Sequence, residues 1–470
     1  MSDGDLTRDL GLYSAVTLST GAMIGGGIFV LPAVGYTKAG PAIIGAYLLA
    51  GVIVLPNALS KAEMATAMPE DGGTYIYIDR AMGPLFGTIA GIGVWFSLVF
   101  KSAFALVGLG AYLLLLVNIP AGLVKMVALV LGVVVILLNI VGTEKSGQVQ
   151  SVLVSLVVLV LGAYVLGGIQ PAEPSQYAPF TTHGIGGVAT ATAFVFVSYA
   201  GIGEVASVAE EIAEPSRNIP LAMLISIGVM MVIYTAVVAV VVGVVPGETL
   251  VGGGPGGGTS LTPMADSAEL VFGGAGVTVV AVTAVLALTS MANAGVLGTS
   301  RFLLAMSRDS LLPERVGRIN PRFLTPVTAV LVTGALLLAL IAFVPVVGLA
   351  KLASAFLILV FSLENLSVIV FREADVDFYD PDFRSPGYPV VQALGVVGGV
   401  VLIVQMGLLS ILGAVGISVG SLAWYLIYAR SRTSRTGALA TYLGRESEPS
   451  EPSNPSEPSD EAPAAKRRDD

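Results

Sequence analysis

The chain of 470 residues has no cysteine and a single histidine, His183. Disulfides, thiol chemistry and zinc sites built from Cys and His are thereby excluded. Charge is also scarce. Asp, Glu, Lys and Arg make up 12% of the residues, against about 25% in soluble domains, and 55% are hydrophobic. A soluble globular fold is excluded, and a net charge of −9 gives no reason to expect a nucleic-acid partner. No GxxxxGK[ST] phosphate loop occurs, so ATP is not the motor of any transport. No buried Ser–His, paired-carboxylate or metal constellation stands out, so neither an enzyme nor a cofactor is expected. The polar start, Met1–Asp9, is not followed by a short apolar region with a small-residue cleavage site, and no cleavable signal peptide is expected.

What remains is long apolar runs. Twelve segments reach the roughly 18 residues that a spanning helix needs: 12–36, 41–66, 86–117, 123–142, 149–169, 185–213, 219–245, 276–306, 326–345, 348–371, 389–410 and 412–430. An all-α membrane protein follows. Fifteen Lys and Arg, among them Arg8, Lys61, Arg217, Arg308 and Arg372, fall on one side, against Lys38, Lys125 and Lys351 on the other. The positive-inside rule then puts both termini in the cytoplasm of a cell membrane. Leu59–Gly83 mixes charges with Tyr75–Ile78 and reads as an interfacial element on that face. Residues 1–440 form the membrane domain, and the Ser/Glu/Pro stretch within 441–470 is expected to be disordered.

Two of the runs carry glycine at the depth where a bilayer is driest. In the first, Gly21-Ala22-Met23-Ile24-Gly25-Gly26-Gly27-Ile28-Phe29 weakens a helix by about 1 kcal/mol per glycine relative to alanine. In the sixth, Phe196–Gly203 places two glycines just before Glu204. Backbone freed there costs several kcal/mol per unpaired group unless it lines a cavity and holds something. The two breaks are about 176 positions apart, as expected if residues 12–169 and 185–371 are inverted five-helix units with 389–430 added. The N–H groups of Gly25, Gly26 and Gly27 would open a helix carrying about half a positive charge, which suits a carboxylate. The carbonyls of Met23, Val197 and Ala200, beside Gly201, would suit an ammonium group. Together they describe a cradle for an α-amino acid. A GxxxG packing face, Gly21 and Gly25, is the competing reading.

The run Gly21–Phe29 resembles the first-helix signature of the amino acid–polyamine–organocation permeases. So do Tyr199-Ala200-Gly201-Ile202, Ala209-Glu210-Glu211 and Pro215–Pro220 for the sixth helix and the turn after it. Ala62-Glu63-Met64, Pro69, Gly72–Tyr75 and Gly83 match the family's loop after helix two. Ser300-Arg301, Ala305–Asp309 and Leu311-Leu312-Pro313 match the end of its eighth helix. The resemblance covers about 10–430 and implies a LeuT-like fold of twelve helices in a five-plus-five inverted repeat, alternating access and amino acid substrates. Three positions depart from the pattern. Gly26 stands where many members have serine. Gly203 precedes Glu204 where an acid often follows directly. Val157 stands where some proton-coupled members carry a lysine.

A lysine does occur in the third span. Lys101 must pair, sit in water or lose its proton, because a lone ammonium costs about 2.5–3.5 kcal/mol at mid-membrane. It is read as a coupling or gating group, with a structural ion pair to Glu204, or less favourably Glu364, as the alternative. Glu210, Glu211 and Arg217 read as an inner gate. Thr289 and Ser290 could supply oxygens to a sodium ion, although such hydroxyls often bond their own backbone. The expectation is a secondary transporter of amino acids, by symport or exchange, driven by protons, sodium or a counter-substrate. Neutral substrates are preferred over cationic ones beside Lys101. A sensor of the same fold, signalling through its tail, is the rival.

Overall fold

The computed structural model describes residues 10–68, 73–117, 120–142, 147–433 and 435–444. The stretch expected to be disordered, 446–470, lies outside these, as do Pro69, Glu70, Asp71 and Gly72. Among the described residues there is no strand, only an isolated bridge between Leu10 and Ile212.

The helices run in chain order as α1 (Leu12–Met23), α2 (Gly26–Phe29), α3 (Leu31–Ala39), α4 (Ile43–Ala67), α5 (Gly73–Met82) and α6 (Pro84–Val117). Then come α7 (Val124–Val141), α8 (Gly147–Gly168), α9 (Gly184–Val195), α10 (Pro215–Val244), α11 (Gly247–Gly252) and α12 (Pro263–Arg308). The last are α13 (Val327–Phe343), α14 (Val346–Ala374), α15 (Val390–Gln405), α16 (Leu408–Trp424) and α17 (Ala438–Tyr442). Nine helical stretches among the described residues are long and apolar enough to cross a membrane. The count falls below twelve for a physical reason. The glycine run divides the first expected span into α1, α2 and α3, and the 3₁₀ turn Gly40–Ala42 joins α3 to α4. The apolar helices α13 and α15 have 17 and 16 residues.

The side chains say where the bilayer lies. On α8, Val154, Val157, Leu161 and Tyr164 are buried, whereas Val152, Leu156, Leu159 and Leu166 are exposed at helical spacing on the other face. An apolar stripe of that length is stable only against lipid or another chain. Inside, α6 lies close along α12, where a Cβ on Gly295 would meet the Ser102 hydroxyl at 2.0 Å. Thr262 precedes Pro263 at the start of α12, as expected of an N-cap followed by proline. A bend at Gly273, with φ at 65°, then re-aims α12 where a side chain would be strained.

Leu59–Gly83 differs from the interfacial element expected. Leu59–Ala67 is the end of α4, and its charges Lys61 and Glu63 are buried against α14; only α5 is a separate short helix. After α16 the chain returns across this face. Arg435 bridges Asp309 at 3.0 Å and Asp79 at 3.6 Å, and Gly437 packs on the backbone of Gly83. Burial pushes the Asp79 carboxyl up to about 6, with Arg435 opposing that shift and Asp309 adding to it.

Candidate functional site

The first segment breaks where the glycines begin. α1 ends at Met23, Ile24 is extended, and helical geometry resumes at Gly26. The sixth segment behaves differently. It is overwound rather than snapped: α9 passes at Val195 into 3₁₀ geometry over Phe196–Glu204 and again over Ala206–Glu211, with Val208 outside helical angles. The tighter winding keeps backbone hydrogen bonds that an open break would lose.

The two segments touch backbone to backbone. A Cβ on Gly201 would lie 2.4 Å from the Ala22 carbonyl carbon and 2.5 Å from the Met23 nitrogen. One on Gly27 would meet the Ser198 side chain at 2.5 Å. The Tyr234 hydroxyl of α10 reaches both irregular segments, 2.6 Å from the Met23 carbonyl and 3.0 Å from that of Ser198. Tyr47 of α4 donates to the Gly27 carbonyl at 2.5 Å, and Tyr199 donates to the Tyr47 carbonyl at 2.9 Å. The rings of Tyr47 and Tyr199 lie 5.4 and 5.3 Å from that of Tyr234. Thus Tyr47 and Tyr234 satisfy carbonyls of the irregular backbone, and Tyr199 ties the sixth segment to α4.

The glycine amides are walled rather than open. The Gly26 N–H donates to the Met291 sulfur at 3.2 Å, and a Cβ there would meet the Phe104 ring at 2.4 Å. A thioether is a weak acceptor, so a carboxylate could displace it. The Ser198 hydroxyl beside Gly27 is buried without a well-formed hydrogen bond among the described residues. Met23, Gly25, Gly26, Gly27, Val197 and Gly201 are all buried around this point, and Ala200 is half-buried.

Lys101 and Phe104 share one face of α6, turned to the same break. The Lys101 ammonium donates to the Ala22 carbonyl at 3.3 Å, at the C-terminal end of α1 where a cation is favoured. Among the described residues no carboxylate pairs with it within 4.0 Å; Glu204 acts on it electrostatically from further away. Glu364, the weaker alternative, pairs with Lys61. Ser290 lines a small cavity of about 10 Å³ together with Gly21, Ile24 and Val157, whereas Thr289 is exposed. That cavity is the size of one water molecule. Arg217 pairs with Glu214 at 3.5 Å, both side chains being largely exposed, and the Glu211 carbonyl accepts from the Leu10 amide at 3.0 Å.

The family model for amino acid permeases matches residues 10–429. The chain belongs to the amino acid permease family. Branched-chain amino acid permease BcaP of Bacillus subtilis (strain 168) is 30% identical over 452 residues, covering 91% of this chain and 94% of that one. A protein of the same name from Lactococcus lactis subsp. cremoris is 30% identical over 83% of this chain and 87% of its own. The methylthioribose transporter of Bacillus subtilis is 27% identical over 91% and 95%. These relatives indicate a transporter rather than an enzyme.

Sequence reasoning missed the permease's most buried charges. Lys61 and Glu364 are 2% and 0% exposed and pair at 2.9 Å. Asn57 donates to Glu364 at 2.5 Å, Lys61 donates to Thr74 at 2.9 Å, and the Lys61 ammonium lies 5.1 Å over the Phe361 ring. A Cβ on Gly203 would meet that ammonium at 2.8 Å, so the pair abuts the overwound segment. Two residues along α4, Glu63 is saturated by the Arg372 Nε and Nη2, the Tyr379 hydroxyl and the Ser385 amide. The signal was present: Lys61 and Glu63 fall within the second expected span and its last turn, while Glu364 lies inside the tenth. Removing one partner of such a pair strands the other, at about 3–5 kcal/mol. Glu364→Leu is therefore expected to lower stability by that amount, with Lys61→Met/Glu364→Leu recovering most of it, as read by thermal unfolding in detergent.

Tyr234→Phe keeps the ring and removes only the bridging hydroxyl. Two buried carbonyls then lose a donor, at about 1–3 kcal/mol. Substrate affinity is expected to fall by about tenfold with the thermal midpoint lowered by a few degrees, measured by radioligand binding and unfolding on the same preparation.

Proposed function

We propose that the protein is a secondary transporter of amino acids, working by alternating access across the cell membrane. In this reading twelve spans form two inverted five-helix repeats, 12–169 and 185–371, with 389–430 added and both termini cytoplasmic. The observation that carries it is the backbone contact of Gly201 with Ala22 and Met23, where two irregular segments cross inside an apolar bundle. Irregular backbone at such depth is tolerated where it binds something.

The substrate carboxylate would replace the Met291 sulfur at the amides of Gly25, Gly26 and Gly27. The Met23 carbonyl already accepts from Tyr234, but a carbonyl oxygen has a second lone pair for the substrate ammonium. Val197 and Ala200 supply the other carbonyls. Phe104 and Met291 against the glycines suit an apolar side chain. Neutral substrates also fit the nearby Lys101 cation and two relatives named for branched-chain amino acids. Lys101 would couple or gate, the small cavity at Ser290, which Thr289 does not line, would be the place for a sodium ion, and Glu204, Glu210, Glu211 and Arg217 would close the inner end. Coupling to a proton or sodium gradient, or exchange, completes the cycle.

The test is uptake by purified protein in liposomes, with sodium and proton gradients imposed separately and exchange assayed alongside. The panel holds leucine, isoleucine, valine, alanine, arginine and, because of one relative's name, methylthioribose. Saturable uptake of a neutral amino acid is expected. Failure of every amino acid in all three modes would remove the proposal.

A further inference from the structure

On the face with few basic residues, a cavity of about 620 Å³ lies between α9, the α13–α14 turn and the α15–α16 turn. Its polar lining is Lys38, Lys351 and Thr190; the rest is apolar, and no carboxylate takes part. The Thr190 hydroxyl is already used, donating to the carbonyls of Gly186 and Gln405. The two ammonium groups each stand 6.0 Å from the centre of one ring, Phe194, so they are at most about twice that distance apart. Neither has an ion pair among the described residues. Two like charges near one ring in an otherwise apolar lining repel, and an anion bound beside them relieves this.

The walls say what kind of anion. Phe343 is 84% exposed and Leu409 50%, so the cavity opens along apolar surface of the kind that meets lipid tails. Lys38 lies in the last turn of α3 and Lys351 in the second turn of α14. Lysines one or two turns from a helix end reach the headgroup level. A cavity of this volume exceeds what a small carboxylate fills.

We propose that this groove is a binding site for an anionic phospholipid, with its phosphate between Lys38 and Lys351 and an acyl chain along Phe343, Leu352 and Leu409. Zwitterionic lipids fit less well, because their own cation would face two lysines. The proposal stands apart from the substrate site and does not depend on which molecule is transported.

Native mass spectrometry of the full-length protein from mixed micelles, with equal phosphatidylglycerol and phosphatidylcholine, tests it. Retained lipid should favour phosphatidylglycerol by about tenfold or more, since each lysine near a lipid surface contributes about 1 kcal/mol. Lys38→Gln/Lys351→Gln should fall to parity, and Lys125→Gln, outside the cavity, should match the wild type. If the double variant does not fold, each single variant should give an intermediate preference. Parity in the wild type, or an unchanged preference in every cavity variant, overturns the proposal. So does displacement of the lipid by leucine, which would make the groove part of a substrate path, or by inorganic phosphate, which would make it an anion site without lipid.

Discussion

Gly201→Ala is expected to abolish substrate binding. The added methyl would stand 2.4 Å from the Ala22 carbonyl carbon and 2.5 Å from the Met23 nitrogen. Both are backbone atoms, fixed by α1 on one side and the glycine run on the other, so no rotamer change can make room. Overpacking of a side chain costs about 1–3 kcal/mol, and here two chain segments must separate instead. Their separation also pulls apart the Met23 and Ser198 carbonyls, which share the Tyr234 hydroxyl. A cradle built from both segments should then lose at least about 100-fold in affinity, equivalent to about 2.8 kcal/mol. Gly228→Ala on α10 is the control, since nothing lies within 4 Å of its Cβ. Radiolabelled substrate binding, read beside thermal unfolding, distinguishes the cases. Wild-type affinity in Gly201→Ala would mean that the crossing of the first and sixth segments is packing and that the substrate binds elsewhere.

The first break was legible because it is written in residue type: consecutive glycines weaken a helix by about 1 kcal/mol each relative to alanine, and the chain leaves helical geometry at Ile24 and Gly25. α1 stops at Met23 accordingly. The sixth segment was legible only in part. Gly201 and Gly203 mark close approaches, to the Ala22–Met23 backbone and to Lys61, but glycine content alone does not separate an open break from 3₁₀ overwinding. What tips the outcome is distant in sequence: Tyr234 and Ser19 meet the Ser198 and Gly201 carbonyls. The hydroxyls of Tyr47, Tyr199 and Tyr234 carry a further signal, because a hydroxyl in mid-span must find a partner and so announces one. Lys61 was misplaced for a related reason. Counted as a loop charge it satisfies the positive-inside pattern, and only the meeting of α4 with α14 shows that Glu364 neutralises it. A charge inside each of two expected spans is visible in the sequence, but which charge meets which, some 300 positions apart, leaves no local trace.

Lys101→Ala is expected to leave the fold intact and to separate exchange from concentrative uptake. The side chain is 7% exposed, and the hydrogen bond recorded for its ammonium runs to the Ala22 carbonyl. That arrangement is poor as a structural staple. A buried ammonium at mid-span costs about 2.5–3.5 kcal/mol or more, while one carbonyl and a helix C-terminus return about 1–3 kcal/mol. Alanine removes the charge and its desolvation together, so the thermal midpoint should hold or rise slightly. What the variant loses is a positive charge that touches α1 one residue before Met23, where the proposed substrate ammonium binds. If that charge responds to substrate or to an ion as the segments rock, gradient-driven accumulation should drop by at least about tenfold, and counterflow of unlabelled for labelled substrate should persist. Proteoliposome uptake with and without an imposed gradient measures both modes on one preparation. A structural role would instead lower the midpoint and reduce the two modes in equal proportion. Near-normal accumulation against a gradient would take Lys101 out of the coupling mechanism. Ser290, with Gly21, Ile24 and Val157 around the small cavity beside α1, would then be where coupling must be sought.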